Sequence, residues 1–128
     1  DDRCARTKEF KAIAVTAERW IATEAVAPRD LRPWLLGLKA RGYAVVAPEQ
    51  ATNSTSLAGD AELPSPAVLL LGREKEGVPG DLMDLCDVCV EIPQLGVVRS
   101  LNVHVSGALA IWHFARQWMA RQRRGGGE

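Results

Sequence analysis

Three polar side chains in the last third of the chain have the types and the neighbours that chemistry requires. A carboxylate, Glu74, stands in Gly72-Arg73-Glu74-Lys75-Glu76-Gly77, directly after the apolar run Leu69-Leu70-Leu71. A hydroxyl and a carboxamide, Ser100 and Asn102, stand in Arg99-Ser100-Leu101-Asn102, a few residues past Ile92-Pro93-Gln94-Leu95-Gly96. Such groups can donate or accept hydrogen bonds to a ligand. Around them Gly72, Gly77 and Gly96 allow close approach of backbone, and Ile92 and Leu101 can supply apolar walls for a ligand. No G-x-G-x-x-G loop is present, so a pyrophosphate has no cradle. Ser100 and Asn102 have a competing role as caps of the helix that follows.

Other suggestive residues carry less. Cys86-Asp87-Val88-Cys89 is a C-x-x-C with no second pair, whereas a zinc site needs four ligands, and Cys89 falls in an apolar strand where it acts as a small hydrophobe. No metal site is expected. His104 and His113 lie nine residues apart, which is not the i, i+4 spacing of a ligand pair. Asn53-Ser54-Thr55 reads as a polar loop. Arg121, Arg123 and Arg124 suit either RNA phosphate or the negative end of a helix dipole, and a Gly-rich tail over residues 121–128 follows the same stretch.

The elements that must position these residues alternate between helix and strand. Phe10, Ile13, Ala14, Ala17 and Trp20 predict an amphipathic helix near residues 8–19, followed by a short strand at 21–26. Asp30 is expected to cap a second helix with Pro33 in its first turn and Leu31, Trp34, Leu35 and Leu38 as its buried stripe. Gly42 supplies a left-handed C-terminus, and Tyr43-Ala44-Val45-Val46-Ala47 reads as a buried strand. Residues 51–66 read as loop, 67–71 and 88–92 as strands, and 80–86 as a helical turn or two. This order gives an α/β fold, a parallel sheet with helices on both faces.

The final segment, residues 100–122, is apolar almost all round. Leu101, Val105, Ala108, Trp112, Ala115 and Met119 form one stripe, and Gly107, Ile111, Phe114 and Trp118 another. A terminal helix faces its own sheet on one side only, so the second stripe, Ile111, Phe114 and Trp118, predicts a homodimer through this helix.

Composition bounds the rest. The 128 residues suffice for one domain, and 16 basic residues balance 16 acidic ones, so the chain offers no overall field to a polyanion. Three cysteines without framework spacing point to a reducing, intracellular location, cytoplasmic or nuclear. No run approaches the roughly 20 apolar residues of a membrane span, and Asp1-Asp2-Arg3 is no signal peptide.

Taken together, the block Leu69 to Pro79 and the block Ile92-Pro93 to Ser100-Leu101-Asn102-Val103 resemble the SpoU/TrmH branch of the SPOUT methyltransferases, over nearly the whole chain. The resemblance implies S-adenosyl-L-methionine as cofactor and methyl transfer to a ribose 2′-hydroxyl of RNA, with tRNA, at a D-loop guanosine, as the substrate. It implies a SPOUT α/β knot whose last helix threads a C-terminal trefoil. Residue by residue, it implies that Leu71, Gly72, Gly77, Ile92, Gly96 and Leu101 hold the cofactor together with Glu49 of the similar Glu49-Gln50-Ala51-Thr52, while Glu74, Ser100 and Asn102 organise catalysis. The family's first motif, a strand-helix segment bearing an Asn and an Arg, has no counterpart ahead of the first helix, and Arg3 and Arg6 lie too late in the pattern to stand in for it. The domain therefore reads as shortened at its N-terminus, which leaves open a catalytically silent module that binds cofactor or RNA and dimerises.

Overall fold

A computed structural model describes residues 21–49, 51, 53–73, 77–93 and 102–126. It contains, in chain order, α1 (Pro28–Ala40), β1 (Ala44–Ala47), β2 (Thr55–Ser56), β3 (Ala67–Leu69), α2 (Gly80–Met83), β4 (Val88–Glu91) and α3 (Val103–Gly125). The helix predicted near residues 8–19 lies outside the described residues. The chain divides into two compact units, Asp1–Trp34 and Leu35–Glu128.

In the first unit the strand predicted at 21–26 is not formed. Val26 alone among these residues is even half-buried, so no apolar face draws the segment into a ladder. The helix begins at Pro28 rather than at an Asp30 cap. Proline suits the first helical position because its missing N–H would be unsatisfied there anyway. Asp30 instead sits in the first turn, where its carboxylate complements the helix dipole, and its N–H donates to the Ala27 carbonyl at 2.9 Å. Pro33 consequently falls in the second turn, where its ring does remove one intrahelical bond. The expected buried stripe is also narrower: Leu35 is fully buried, Leu31 and Leu38 half-buried, and Trp34 exposed.

In the second unit α1 ends as its sequence requires. Gly42 adopts φ +95°, its N–H donates to the Lys39 carbonyl, and the Tyr43 N–H donates to that of Leu38. This paired closure satisfies two otherwise orphaned carbonyls. The strand that follows, β1, buries Val45, Val46 and Ala47 completely, as expected for an interior strand of a parallel sheet. Strand order is β2-β4-β1-β3 and every pairing is parallel, with Val45 opposite Val68, Val46 opposite Val88, and Thr55 opposite Val90. The two-residue β2 lies within the segment read as loop. Thr55 and Ser56 form a short polar edge that no hydrophobic run announces, and Leu57 extends its ladder by donating to the Glu91 carbonyl. Val46, Leu63 and Val90 form the core, with Leu57, Ala67, Leu69, Val88 and Phe114 packed on it.

The long helix α3 buries Gly107, Ala110 and His113, with Val103, Phe114 and Gln117 half-buried beside them. Both sequence stripes are therefore split. Phe114 turns into the chain's own core, while Val105, Leu109 and Trp112 face outward along with Ile111 and Trp118. The pattern was ambiguous because Ala110 and His113, small and polar, hold the inward positions. Among the described residues no helix is long and apolar enough to cross a membrane.

One side chain ties α1, β1 and β4 together. Asp87 accepts the Val45 N–H at 2.7 Å and the Lys39 ammonium at 2.8 Å, and Lys39 also donates to the Leu85 carbonyl at 2.7 Å. The Lys39 hydrogen bond and the Val45 N–H hold the Asp87 carboxyl below its ordinary range. Its contribution to stability is thus complete above the usual carboxylate pKa and is lost as pH falls through the lowered value. We expect Asp87→Asn to destabilise the fold at neutral pH by about 1 kcal/mol, discounted for partial exposure. Thermal melts across pH 2–7 should also show a shallower acid limb in the variant; identical acid limbs would show that Asp87 is not a determinant.

Candidate functional site

Because β1, β3 and β4 run parallel, their carboxyl ends place Glu49, Leu71-Gly72 and Ile92-Pro93 along one edge of the sheet. Ligands of open α/β sheets bind outside such ends. The chain leaving β3 closes immediately on itself. Arg73 and Gly77 exchange both backbone bonds, at 3.1 and 2.7 Å, forming an isolated antiparallel bridge. The peptide joining Gly77 to Val78 then lies directly on Gly72, where a Cβ would stand 2.0 Å from the Gly77 carbonyl carbon and 2.2 Å from the Val78 nitrogen. No side chain larger than hydrogen fits. The glycine thus makes room for the loop's own backbone, the close approach expected of it from the sequence.

Glu49 holds the same peptide from the other side. Its Oε1 accepts the Val78 N–H at 2.8 Å. Gly77 has φ +68°, and a Cβ there would meet Oε1 at 2.8 Å. Glycine at 77 is required both by conformation and by the carboxylate packed against it. The Leu71 side chain is partly exposed and rests on α3 at Gly107, where a Cβ would approach Leu71 Cδ1 to 3.0 Å. Among the described residues the backbone N–H and C=O of Leu71 and Gly72 carry no hydrogen bond.

Asn102 caps α3, its Oδ1 accepting the His104 N–H at 2.7 Å. Glu74, Gly96, Ser100 and Leu101 lie outside the described residues, as does the stretch 94–101 through which a knot would be threaded. Ile92 lines an apolar cavity of about 490 Å³ with Leu57, Pro93, Leu109 and Trp112. None of Glu49, Leu71, Gly72 or Gly77 borders that cavity. The structure therefore joins Glu49, Gly72 and Gly77 in one device, seats Leu71 beside it, and turns Ile92 toward a different hollow.

Sequence reasoning missed Val78, whose peptide is the object being held, and Gly107, which admits Leu71; a glycine within an otherwise apolar helix was the available signal. His113 is buried and satisfied, its Nε2 3.1 Å from the Ala61 carbonyl. Gln117 makes a reciprocal pair with the Leu63 backbone at 2.7 and 2.8 Å, and Arg121 holds Glu62 at 2.6 Å. Spaced four apart, these three side chains fasten residues 61–63 to α3, so Arg121 is engaged within the fold. The Cys86 thiol is pushed up by burial and then by neighbouring Cys89, which disfavours the thiolate that ligation or nucleophilic attack would need.

The profile of the SpoU rRNA Methylase family matches residues 1–112. The chain is 47% identical to the mouse tRNA (guanosine(18)-2′-O)-methyltransferase TARBP1 over 115 residues, 90% of this chain and 7% of that protein. It is 36% identical to the tRNA (guanosine(18)-2′-O)-methyltransferase of Saccharomyces cerevisiae, over 87% of this chain and 8% of that protein. The chain thus spans less than a tenth of these two relatives. Among solved structures, the A. aeolicus TrmH/SpoU tRNA modifying enzyme superposes with TM-score 0.72 at 29% identity, covering 90% of this chain and 55% of that one.

The clash distances make opposite forecasts for two glycines. Gly72→Ala drives a methyl into fixed backbone, so we expect a loss of about 2–3 kcal/mol and an opened loop. Gly107→Ala meets only the end of a flexible leucine and gains about 1 kcal/mol of helix propensity, leaving stability nearly unchanged. Chemical denaturation of both variants checks this, and equal losses would mean that the loop does not close over Gly72.

Proposed function

The chain belongs to the SpoU rRNA Methylase family, and from that membership we propose that it is the methyltransferase domain of an S-adenosylmethionine-dependent tRNA ribose 2′-O-methyltransferase. The observation that carries the reading is the self-crossed loop after β3, in a chain whose similarity to tRNA (guanosine(18)-2′-O)-methyltransferases extends over most of its length. The guanosine of the D-loop is the target we assign, and intracellular tRNA the partner.

The described residues suit a nucleoside cofactor. The unpaired backbone of Leu71 and Gly72 offers donors and acceptors to an adenine, and the leucine side chain beside it offers an apolar surface. We place Leu101, Gly96 and Gly77 in the same seat; Ile92, which lines the other hollow, is not part of it. When bound, S-adenosylmethionine supplies an electrophilic methyl on a cationic sulfur. The chain's own residues must then orient a ribose hydroxyl and exclude water. Asn102 is suited to this because its oxygen is committed to the His104 N–H, which fixes the carboxamide and leaves its NH₂ as a directed donor. Glu74 and Ser100 complete the catalytic side in this proposal, and the last helix is threaded through a knot.

We further propose that α3 pairs with a second copy. Leu109, Trp112 and Ile111 stand outward with 40, 54 and 59% of their surface exposed, and Trp118 with 61%. A contiguous apolar face of this kind marks an interface.

Calorimetry should show binding of S-adenosylmethionine and S-adenosylhomocysteine, and nucleoside analysis of treated tRNA should show a 2′-O-methylated guanosine. Asn102→Ala should reduce turnover about 10²-fold or more while altering cofactor affinity little. Cofactor binding without any methyl transfer would identify a silent module, and absence of binding would refute the reading. Sedimentation should show a dimer that Trp112→Asp converts to monomer, because an unpaired charge at a buried interface is costly. Phe114 is the wrong site for that test, since it packs in the chain's own core.

A further inference from the structure

We infer that Glu49 is a positioning residue for the cofactor loop, acting as a hydrogen-bond acceptor that fixes the Gly77–Val78 peptide rather than as a charge that contacts the cofactor. The inference rests on the reading of that loop as the cofactor seat. Glu49 leaves β1 after Ala47 and Pro48, and its own N–H turns back to the Ala47 carbonyl at 3.0 Å. The side chain is thereby anchored to the most deeply buried strand of the sheet, whose Val45, Val46 and Ala47 have no exposed surface. From there it reaches 29 residues along the chain to accept the Val78 N–H at 2.8 Å.

The peptide it grips is the one that closes the loop. Its N–H goes to Glu49, its carbonyl accepts the Arg73 N–H at 3.1 Å, and its plane covers Gly72. Both polar groups of that peptide are satisfied only in this arrangement. Val78 itself is buried, so an orphaned N–H there would carry a desolvation penalty. Removing the acceptor should let the peptide rotate, lift from Gly72, and move the Leu71-Gly72 backbone that faces the ligand. An acceptor is what the geometry demands. A glutamine oxygen can serve in place of the carboxylate, whereas a direct contact with a cationic sulfonium would need the charge.

These roles separate with Glu49→Ala and Glu49→Gln, measured against S-adenosylmethionine, which is cationic at sulfur, and S-adenosylhomocysteine, which is not. For Glu49→Ala we expect at least about tenfold faster exchange of the Val78 amide by NMR. Both ligands should bind about tenfold more weakly, and by the same factor. Glu49→Gln should stay within about threefold of the native chain in both readouts. Unchanged Val78 exchange and unchanged affinity in Glu49→Ala would overturn the inference. So would a Glu49→Gln variant as weak as Glu49→Ala, most directly if S-adenosylmethionine lost more than S-adenosylhomocysteine. A native chain that binds neither ligand while Val78 exchange still follows the acceptor would instead refute the cofactor reading and leave Glu49 as the clip of the loop alone.

Discussion

The candidate site depends on one peptide bond. The link between Gly77 and Val78 is pressed on Gly72 below, receives Arg73 at its carbonyl, and gives its N–H to Glu49. Each partner imposes a residue type: glycine at 72 because backbone occupies the position of a Cβ, glycine at 77 because φ is positive and a carboxylate fills the space beside it, and an acceptor at 49. A peptide held at both its polar groups in this way is stiff. Stiffness is what a binding seat needs, since a preorganised backbone gives up little further freedom when a ligand arrives.

The sheet makes this closure possible. Short parallel strands, three or four residues in β1, β3 and β4, bring the loops that follow them to one edge without long connections. Asp87 secures the opposite end by joining Lys39 of α1, the first bonds of β1 and the start of β4. The two carboxylates thus act at the two ends of β1. One braces the framework where the strand begins, and the other aims a loop where it ends. Each accepts a backbone N–H, and Asp87 adds a charge-assisted bond from Lys39.

The α/β alternation, the buried β1, the cap at Asn102 and the terminator at Gly42 were all legible, because each follows from local pattern: an apolar run, a capping side chain, a glycine after a helix. Apart from the start of α1, where Pro28 rather than an Asp30 cap opens the helix, what failed depended on tertiary partners. Residues 51–66 hide a two-residue edge strand, since Thr55 and Ser56 have no pattern of their own and pair only because β4 lies beside them. On α3 the inward face runs through Ala110 and His113 while Trp112 faces outward. Hydrophobicity ranks those residues the other way, and the contacts with residues 61–63, with the core at Phe114 and with Leu71 at Gly107 decide the rotation. For the site, motif likeness singled out Gly72, Gly77 and Glu49. Their immediate partners are one another, a relation spanning 29 residues of sequence that no local reading contains.

If the closed loop after β3 and the backbone before it seat the cofactor as proposed, an amide NMR titration of the chain with S-adenosylhomocysteine will report it at those residues. Saturable shifts of the Leu71, Gly72, Gly77 and Val78 amides are expected, fitting one dissociation constant, with the amides of α1 unmoved. Shifts confined to the apolar hollow of Leu57, Leu109 and Trp112, or no saturable shift at all, would contradict it.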